Sequence, residues 1–445
     1  MGGSAFSLLP NPLYTPRMPL AVYQRVRAAC HAALRELFIC VATPIEGPGK
    51  KDHGDVDILV ALDRRRIFAS PADDADQRSP RDLMEAIKRV LGAEYSIVRP
   101  TGASANLAIR WPSDAGHPAS VDDESPIIEV HAGEHDESKE KFIQVDISIC
   151  SDVDRLCWIL FKHAHGDLWN LLGSTIRPYG LTVDEEALWL RIPEIEKFDR
   201  KQAKVLLTRD PVEILQFLGM KVEGFWAEPF ESVDALFDYA TTCRFFWVHD
   251  APEDDAQGET GGSAGVIGGE QGRKKLKSND RRRMNGRPVY RRWITEFVPE
   301  LRAKGKFIRD GPNSSIHEVR ATVRDEAFAY FHVEAEYEER LKQWRLKRQA
   351  EEMKTLIKSL VPTTLDPQHR ACLVSALKKI VMEDDQSFGI PTPSALRDAN
   401  GFYNMEIAAK FVRDNWQQVA KTAWDLQKWR VQEVMLLKAG VMKGT

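Results

Sequence analysis

No apolar run in this chain approaches the ~20 residues that a helix needs to cross a bilayer, which excludes a membrane-spanning helix. Nor is there a C-x-x-C pair. The six cysteines, at positions 30, 40, 150, 157, 243 and 372, are scattered, which excludes a disulfide scaffold and a zinc knuckle. That usage fits a reducing compartment, so the chain is expected to be intracellular, cytoplasmic or nuclear ahead of mitochondrial. No internal repeat is present. Asp and Glu are missing from residues 1–35, where four arginines occur (17, 25, 27 and 35), a weakly transit-like composition. From Leu20 onward, however, this stretch reads as an amphipathic helix of the fold. Met1-Gly2 opens a myristoylation-like sequence, but Phe6 stands where Ser or Thr is required.

What is present is the composition of a globular protein. Of 445 residues 43% are apolar and 29% charged, with 62 Lys and Arg against 66 Asp and Glu. At about 100–200 residues per domain, this length predicts two or three domains. Tyr23, Val26, Cys30, Ala33 and Leu37 recur at three and four, predicting a first helix over 20–37. Strands are expected at 38–41, 56–62, 107–110, 127–130 and 142–150, with a helix at about 81–92 between them. The fold class expected is α+β, a mixed sheet with flanking helices followed by a largely helical C-terminal half. Residues 112–140 carry nine acids against one Lys and read as an acidic insertion. Residues 251–272 hold seven glycines without periodicity, too little apolar surface to offset the entropy of ordering. The expected partition is 18–165, 166–250, a Gly-rich and basic linker at 251–286, and a helical domain at 287–445. Within the second segment Lys204 to Leu207 is a strand, Asp210-Pro211-Val212-Glu213 opens a helix, and a helix spans about 232–246. Further on, Ser315 with Glu318 caps a long helix to about Leu360. Asp366-Pro367 begins another helix, and Met405 to Lys438 forms a third.

The chemistry concentrates in two strands. In Gly54-Asp55-Val56-Asp57-Ile58-Leu59-Val60 alternate side chains share a face, so Asp55 and Asp57 point together while Val56, Ile58 and Val60 enter the core. Two carboxylates about 6–7 Å apart on one face repel unless a cation neutralises them. A hard divalent cation with oxygen ligands does so. Downstream, Ile143, Val145, Ile147 and Ile149 alternate with Gln144, Asp146 and Ser148, placing one more acid on a polar strand face. If these strands are neighbours, Asp55, Asp57 and Asp146 converge, and three such acids can serve two-metal phosphoryl transfer.

In order and spacing these residues resemble the DNA polymerase β-like nucleotidyltransferase superfamily, over about residues 18–150. The resemblance implies transfer of a nucleoside monophosphate from an NTP to a hydroxyl, with Mg²⁺ or Mn²⁺ as cofactor. It implies that Asp55 and Asp57 bind both metals. Asp146 would bind the catalytic one and help deprotonate the attacking hydroxyl. The family's Gly-Ser falls on Ala42-Thr43. Thr43 keeps a hydroxyl for a phosphate, while Ala42 lacks the close backbone approach of glycine. Gly47, Gly49, Lys50 and Lys51 are expected to supply flexibility and positive charge, with Thr43, Lys50 and Lys51 contacting nucleotide phosphates.

Other motifs carry less. Gly47-Pro48-Gly49-Lys50-Lys51 fails the P-loop pattern, which needs Gly at Pro44 and Ser or Thr at Lys51. His163 and His165 read as a helical i, i+2 pair facing apart, and His131 and His135 lie in the acidic insertion, so all four read as structural or solvated. From Arg273 to Arg292 ten basic residues accompany one acid, with Tyr290 and Trp293 at the end. This segment reads either as a solvated linker or as an RNA contact, its bases on phosphates and its aromatics on nucleobases. An RNA 3′ end is therefore the first acceptor expected. A small-molecule acceptor and a catalytically inactive scaffold of the same fold are the other two readings, and steep salt dependence of binding marks the RNA case.

Overall fold

The computed structural model describes residues 3–7, 9–68, 79–112, 140–248, 278–307 and 316–438. The strand expected at 127–130, His131, His135, most of the acidic insertion, the glycine-rich stretch and the Ser315 cap lie outside these residues. By packing, the chain forms two units. The first joins Met1–Arg191 to Lys204–Val333, and the second joins Ile192–Ala203 to Glu334–Thr445.

A five-stranded mixed sheet organises the first unit. A short ladder pairs β1 (Met18–Pro19) with β3 (Asp52–His53). The main sheet contains β2 (Phe38–Ala42), β4 (Asp55–Asp63), β5 (Tyr95–Val98), β6 (Ser104–Arg110) and β7 (Phe142–Ile149), in the order β2-β4-β7-β6-β5. Only β4 and β7 run parallel. Four helices accompany it: α1 (Leu20–Arg35), α2 (Arg64–Ile67), α3 (Pro80–Leu91) and α4 (Val153–His163).

Strand alternation gives the sheet two different faces. On the back, Val56, Ile58 and Val60 of β4 and Val145 and Ile147 of β7 pack with Tyr23, Val26, Cys30 and Leu34 of α1 and Met84 and Ile87 of α3. Burying these side chains is the main stabilising term, roughly 1.5–3 kcal/mol for each aliphatic residue. Among the described residues, apolar contacts cover the front face at two places. At one end Leu59 and Ala61 meet Cys150 and Leu156 of the α4 region. At the other, the fully buried Phe6 lies against Ala108 and Phe142.

The rest of the first unit contains β8 (Leu181–Val183), β9 (Leu188–Arg191) and β10 (Lys204–Thr208), antiparallel in the order β10-β9-β8, with helices Leu168–Ile176, Pro211–Phe217, Val233–Thr241 and Ile316–Phe331. The expected boundary at 165/166 is not a break in packing. His165 donates its N–H to the Ile45 carbonyl (2.8 Å), and a Cβ at Gly166 would come within 3.0 Å of the Gly47 backbone. His165 itself lies beyond the end of α4 at φ 58, buried, with its ring on the Phe225 carbonyl, so the two histidines do not share a helix.

The single helix expected up to Leu360 is two, Ile316–Phe331 and Glu334–Leu360, interrupted where His332 adopts φ 58. A left-handed residue cannot continue a right-handed helix. The second unit packs helices Glu334–Leu360, Pro367–Glu383 and Met405–Lys438 around Ile357, Leu377, Ile380 and Val412. Asp366 caps the middle helix by accepting from the Gln368 and His369 N–H groups.

Candidate active site

The parallel pairing of β4 with β7 sets Asp57 directly opposite Asp146 and Asp55 opposite Gln144. Paired strands lie about 4.8 Å apart. The three acids predicted from strand alternation therefore occupy two neighbouring strands, on one face, within one residue pair of register. They sit in the stretch of the front face between the α4 cover and the Phe6 cover.

Each carboxylate has distinct surroundings. Asp55 Oδ2 accepts the Gly3 N–H at 2.9 Å. Asp146 Oδ1 accepts from Asn106 Nδ2 (2.7 Å) and Gln144 Nε2 (2.8 Å). Among the described residues no hydrogen bond engages Asp55 Oδ1, Asp146 Oδ2 or either oxygen of Asp57. Asp57 is open to solvent on one side and crowded by protein on the others. Crowding first, then the charges of Asp55 and Asp146, push its carboxyl up to about 7. Burial also raises Asp146, partly offset by the amides of Asn106 and Gln144.

Raised carboxyl values have a stability consequence with a definite sign. Between about 4 and about 7 the folded chain keeps a proton on Asp57 that the unfolded chain releases. The stabilisation is complete below that interval and lost as pH rises through it. Chelator-treated protein should therefore show an unfolding midpoint that falls from pH 4 to pH 7 more steeply than that of Asp57→Asn. Equal slopes for the two proteins would show that Asp57 is not raised.

Two of the three residues expected on phosphates have protein partners. Thr43 Oγ1 is 2.8 Å from His31 Nε2 of α1, the helix on the back of the sheet. Lys50 donates to Glu46, which also accepts from the Tyr23 hydroxyl at 2.5 Å. The Tyr23 ring stacks on His53 with centroids 3.8 Å apart. This cluster fastens the loop between β2 and β3 to α1. Lys51 is exposed. Gly47, singled out for flexibility, is instead the residue whose missing Cβ lets the loop approach Gly166.

The basic segment needs a correction. Tyr290 and Trp293, available for stacking on nucleobases in the RNA reading of this segment, are 1% and 2% exposed and belong to the core of the first unit. Trp293 packs against Phe237 and Phe246, with centroids 5.1 and 5.3 Å away. Arg287 pairs with Asp167 at 2.5 Å and Arg292 with Asp234 at 2.6 Å. The part at 273–277 lies outside the described residues.

Among the described residues, no group of three or more His, Cys, Asp and Glu side chains is positioned to hold a metal ion. The donor chemistry nevertheless fits a hard cation. Asp55, Asp57 and Asp146 offer oxygen donors only, and they destabilise one another as anions. Mg²⁺ takes one or two carboxylates and completes its shell with water and substrate phosphate, so a pair from this set suffices. Sequence reasoning passed over Asn106, Gln144 and the Gly3 N–H. The first two are amides on the polar face of their strands, a visible pattern, whereas contact with residue 3 follows only from the fold.

No family model matches the sequence, and no curated protein does. Among solved structures, polymerase beta of Leishmania infantum in a ternary gap complex overlaps 48% of this chain and 71% of that one, at 12% identity and a TM-score of 0.30. The likeness is distant and partial. No helix among the described residues is long and apolar enough to cross a membrane.

Proposed function

We propose that this chain is a metal-dependent nucleotidyltransferase that moves NMP from an NTP to a hydroxyl acceptor, with an RNA 3′ end as the first acceptor. The observation that carries this reading is the register of Asp57 against Asp146, with Asp55 on the same face and an oxygen of each carboxylate without a hydrogen-bond partner among the described residues. Asp55 and Asp57 would hold Mg²⁺ or Mn²⁺ as a pair, and Asp146, opposite Asp57, would turn toward the same cation once it is bound. Such a cation neutralises the triphosphate and the charge developing at the α-phosphorus.

The chain's own groups account for the rest. The acceptor oxygen attacks the α-phosphorus. A new P–O bond forms as the α–β bridging P–O bond breaks, and the electron pair leaves with pyrophosphate. Asp146 Oδ2 stands ready for the acceptor proton, because Oδ1 is already engaged by two amides. Asp57, raised first by burial and then by the charges of Asp55 and Asp146, would gain from a cation, since the repulsion is then offset by attraction.

Incubating the protein with Mg²⁺ or Mn²⁺, each α-labelled NTP in turn, and total RNA tests the reading. Label in RNA with one pyrophosphate released per transfer supports an RNA acceptor. Label in a small product supports the small-molecule acceptor. No label with any NTP would leave the fold as an inactive scaffold.

A further inference from the structure

We infer that the N-terminal segment is a working part of this site, and that Gln144 is the positioning residue linking it to Asp146. The inference rests on the metal-binding reading proposed above. Gln144 is a polar residue only 2% exposed, in a strand whose neighbours are mostly buried and apolar. Both ends of its amide are used. Oε1 accepts the Ala5 N–H at 2.9 Å, and Nε2 donates to Asp146 Oδ1 at 2.8 Å. Two residues earlier, the Gly3 N–H donates to Asp55 Oδ2. Two backbone N–H groups of one short segment thus reach two of the three acids, one directly and one through a side chain.

The segment is held in place by more than these bonds. Phe6 is fully buried against Ala108 and Phe142, and Thr15 Oγ1 donates to the Gly3 carbonyl at 3.1 Å. At Gly3 φ is +83°, and a Cβ there would come within 2.1 Å of the Gly54 carbonyl oxygen. No other residue fits without moving the backbone that enters Asp55. A side chain at residue 3 therefore forces the segment and the Gly54 backbone apart, without removing any of the three carboxylates.

Each bond falls on one oxygen of its carboxylate and leaves the other unengaged. This is the arrangement by which outer partners orient metal ligands, and loss of such a partner costs about 10–100-fold in metal affinity. The segment acts by fixing the carboxylates and touches neither metal nor nucleotide.

The experiment is a Mn²⁺ titration of the full chain followed by electron paramagnetic resonance, with thermal unfolding measured on the same samples. Gln144→Met removes both amide bonds at similar volume, and Gly3→Ala displaces the segment. Met84→Ala, on α3 behind the sheet, lowers stability without touching the network. We expect Asp57→Asn to abolish Mn²⁺ binding. Gln144→Met and Gly3→Ala should weaken it about tenfold or more, with turnover recovering at saturating Mn²⁺. Met84→Ala should lower the unfolding midpoint and leave Mn²⁺ affinity unchanged. If Gln144→Met and Gly3→Ala bind like the unaltered protein while Asp57→Asn does not, the inference falls and the proposed function stands. Equal weakening by Met84→Ala would reduce the network to general stability and also overturn it. If the unaltered chain does not bind Mn²⁺, both fall together.

Discussion

Asp57→Asn should reduce NMP transfer by about 10³-fold or more while the fold persists. Asn keeps the size of the side chain and one carbonyl oxygen but removes the charge that holds a cation. Loss of several kcal/mol of transition-state stabilisation corresponds to that factor, at about 1.4 kcal/mol per tenfold. The core is not at risk, because Asp57 projects from the front of β4 while Val56 and Ile58 fill the back. Removing the charge also relieves repulsion from Asp55 and Asp146, so the chelator-treated variant should unfold at or above the temperature of the unaltered protein at pH 8. Single-turnover transfer and thermal unfolding together test this. Turnover within tenfold of the unaltered protein would remove Asp57 from the site.

The acids were legible in the sequence because strand periodicity is rigid. Once 55–60 and 143–149 are strands, alternation fixes which residues share a face, and only the pairing of the two strands remains to be found. That pairing is not local information. Asp57 opposite Asp146 depends on the connection from β4 through β5 and β6 to β7, part of which runs through residues outside those described. The surroundings of the residues expected on phosphates were less legible. Thr43 stands where the resemblance puts the family's Gly-Ser, and Lys50 and Lys51 follow from charge and nearness in sequence, whereas the partners of Thr43 and Lys50 are set by tertiary packing. Thr43 meets His31, and Lys50 meets Glu46. A loop lysine is free to reach a phosphate only if no nearby carboxylate competes for it. Glu46, one helical turn's distance earlier in sequence, does compete. Helix ends followed local chemistry closely where a cap was present, as at Asp366 and Asp210, each of which accepts from N–H groups two residues on. The failure near residue 332 has the opposite origin. The sequence there carries no Gly or Pro, so nothing local announces the left-handed turn.

Trp293→Ala should cost about 3–5 kcal/mol of stability and should not selectively weaken RNA binding. Large aromatic side chains removed from a packed core leave a cavity whose walls relax only in part. Trp293 is such a residue. It lies within 5.3 Å, centroid to centroid, of Phe237, Phe246 and Phe297, with its ring stacked at 23° on Phe297. Its neighbours along the chain explain why sequence pointed the other way. Ten bases in twenty residues look like an electrostatic footprint, and an aromatic beside them looks like a stacking platform. Composition, however, does not say which side of a helix a ring occupies. Here the apolar side turns inward, while Arg287 and Arg292 meet Asp167 and Asp234 at the surface. Chemical denaturation of Trp293→Ala, with oligonucleotide anisotropy below its unfolding range, separates the two roles. A large loss of stability with unchanged affinity for a single-stranded 20-mer confirms a core residue. Unchanged stability with affinity reduced about tenfold would return Trp293 to the RNA surface, since stacking one base contributes about 1–3 kcal/mol. An RNA acceptor, if the labelling experiment finds one, then has to be held by charge outside this aromatic cluster, and its binding should weaken steeply with salt.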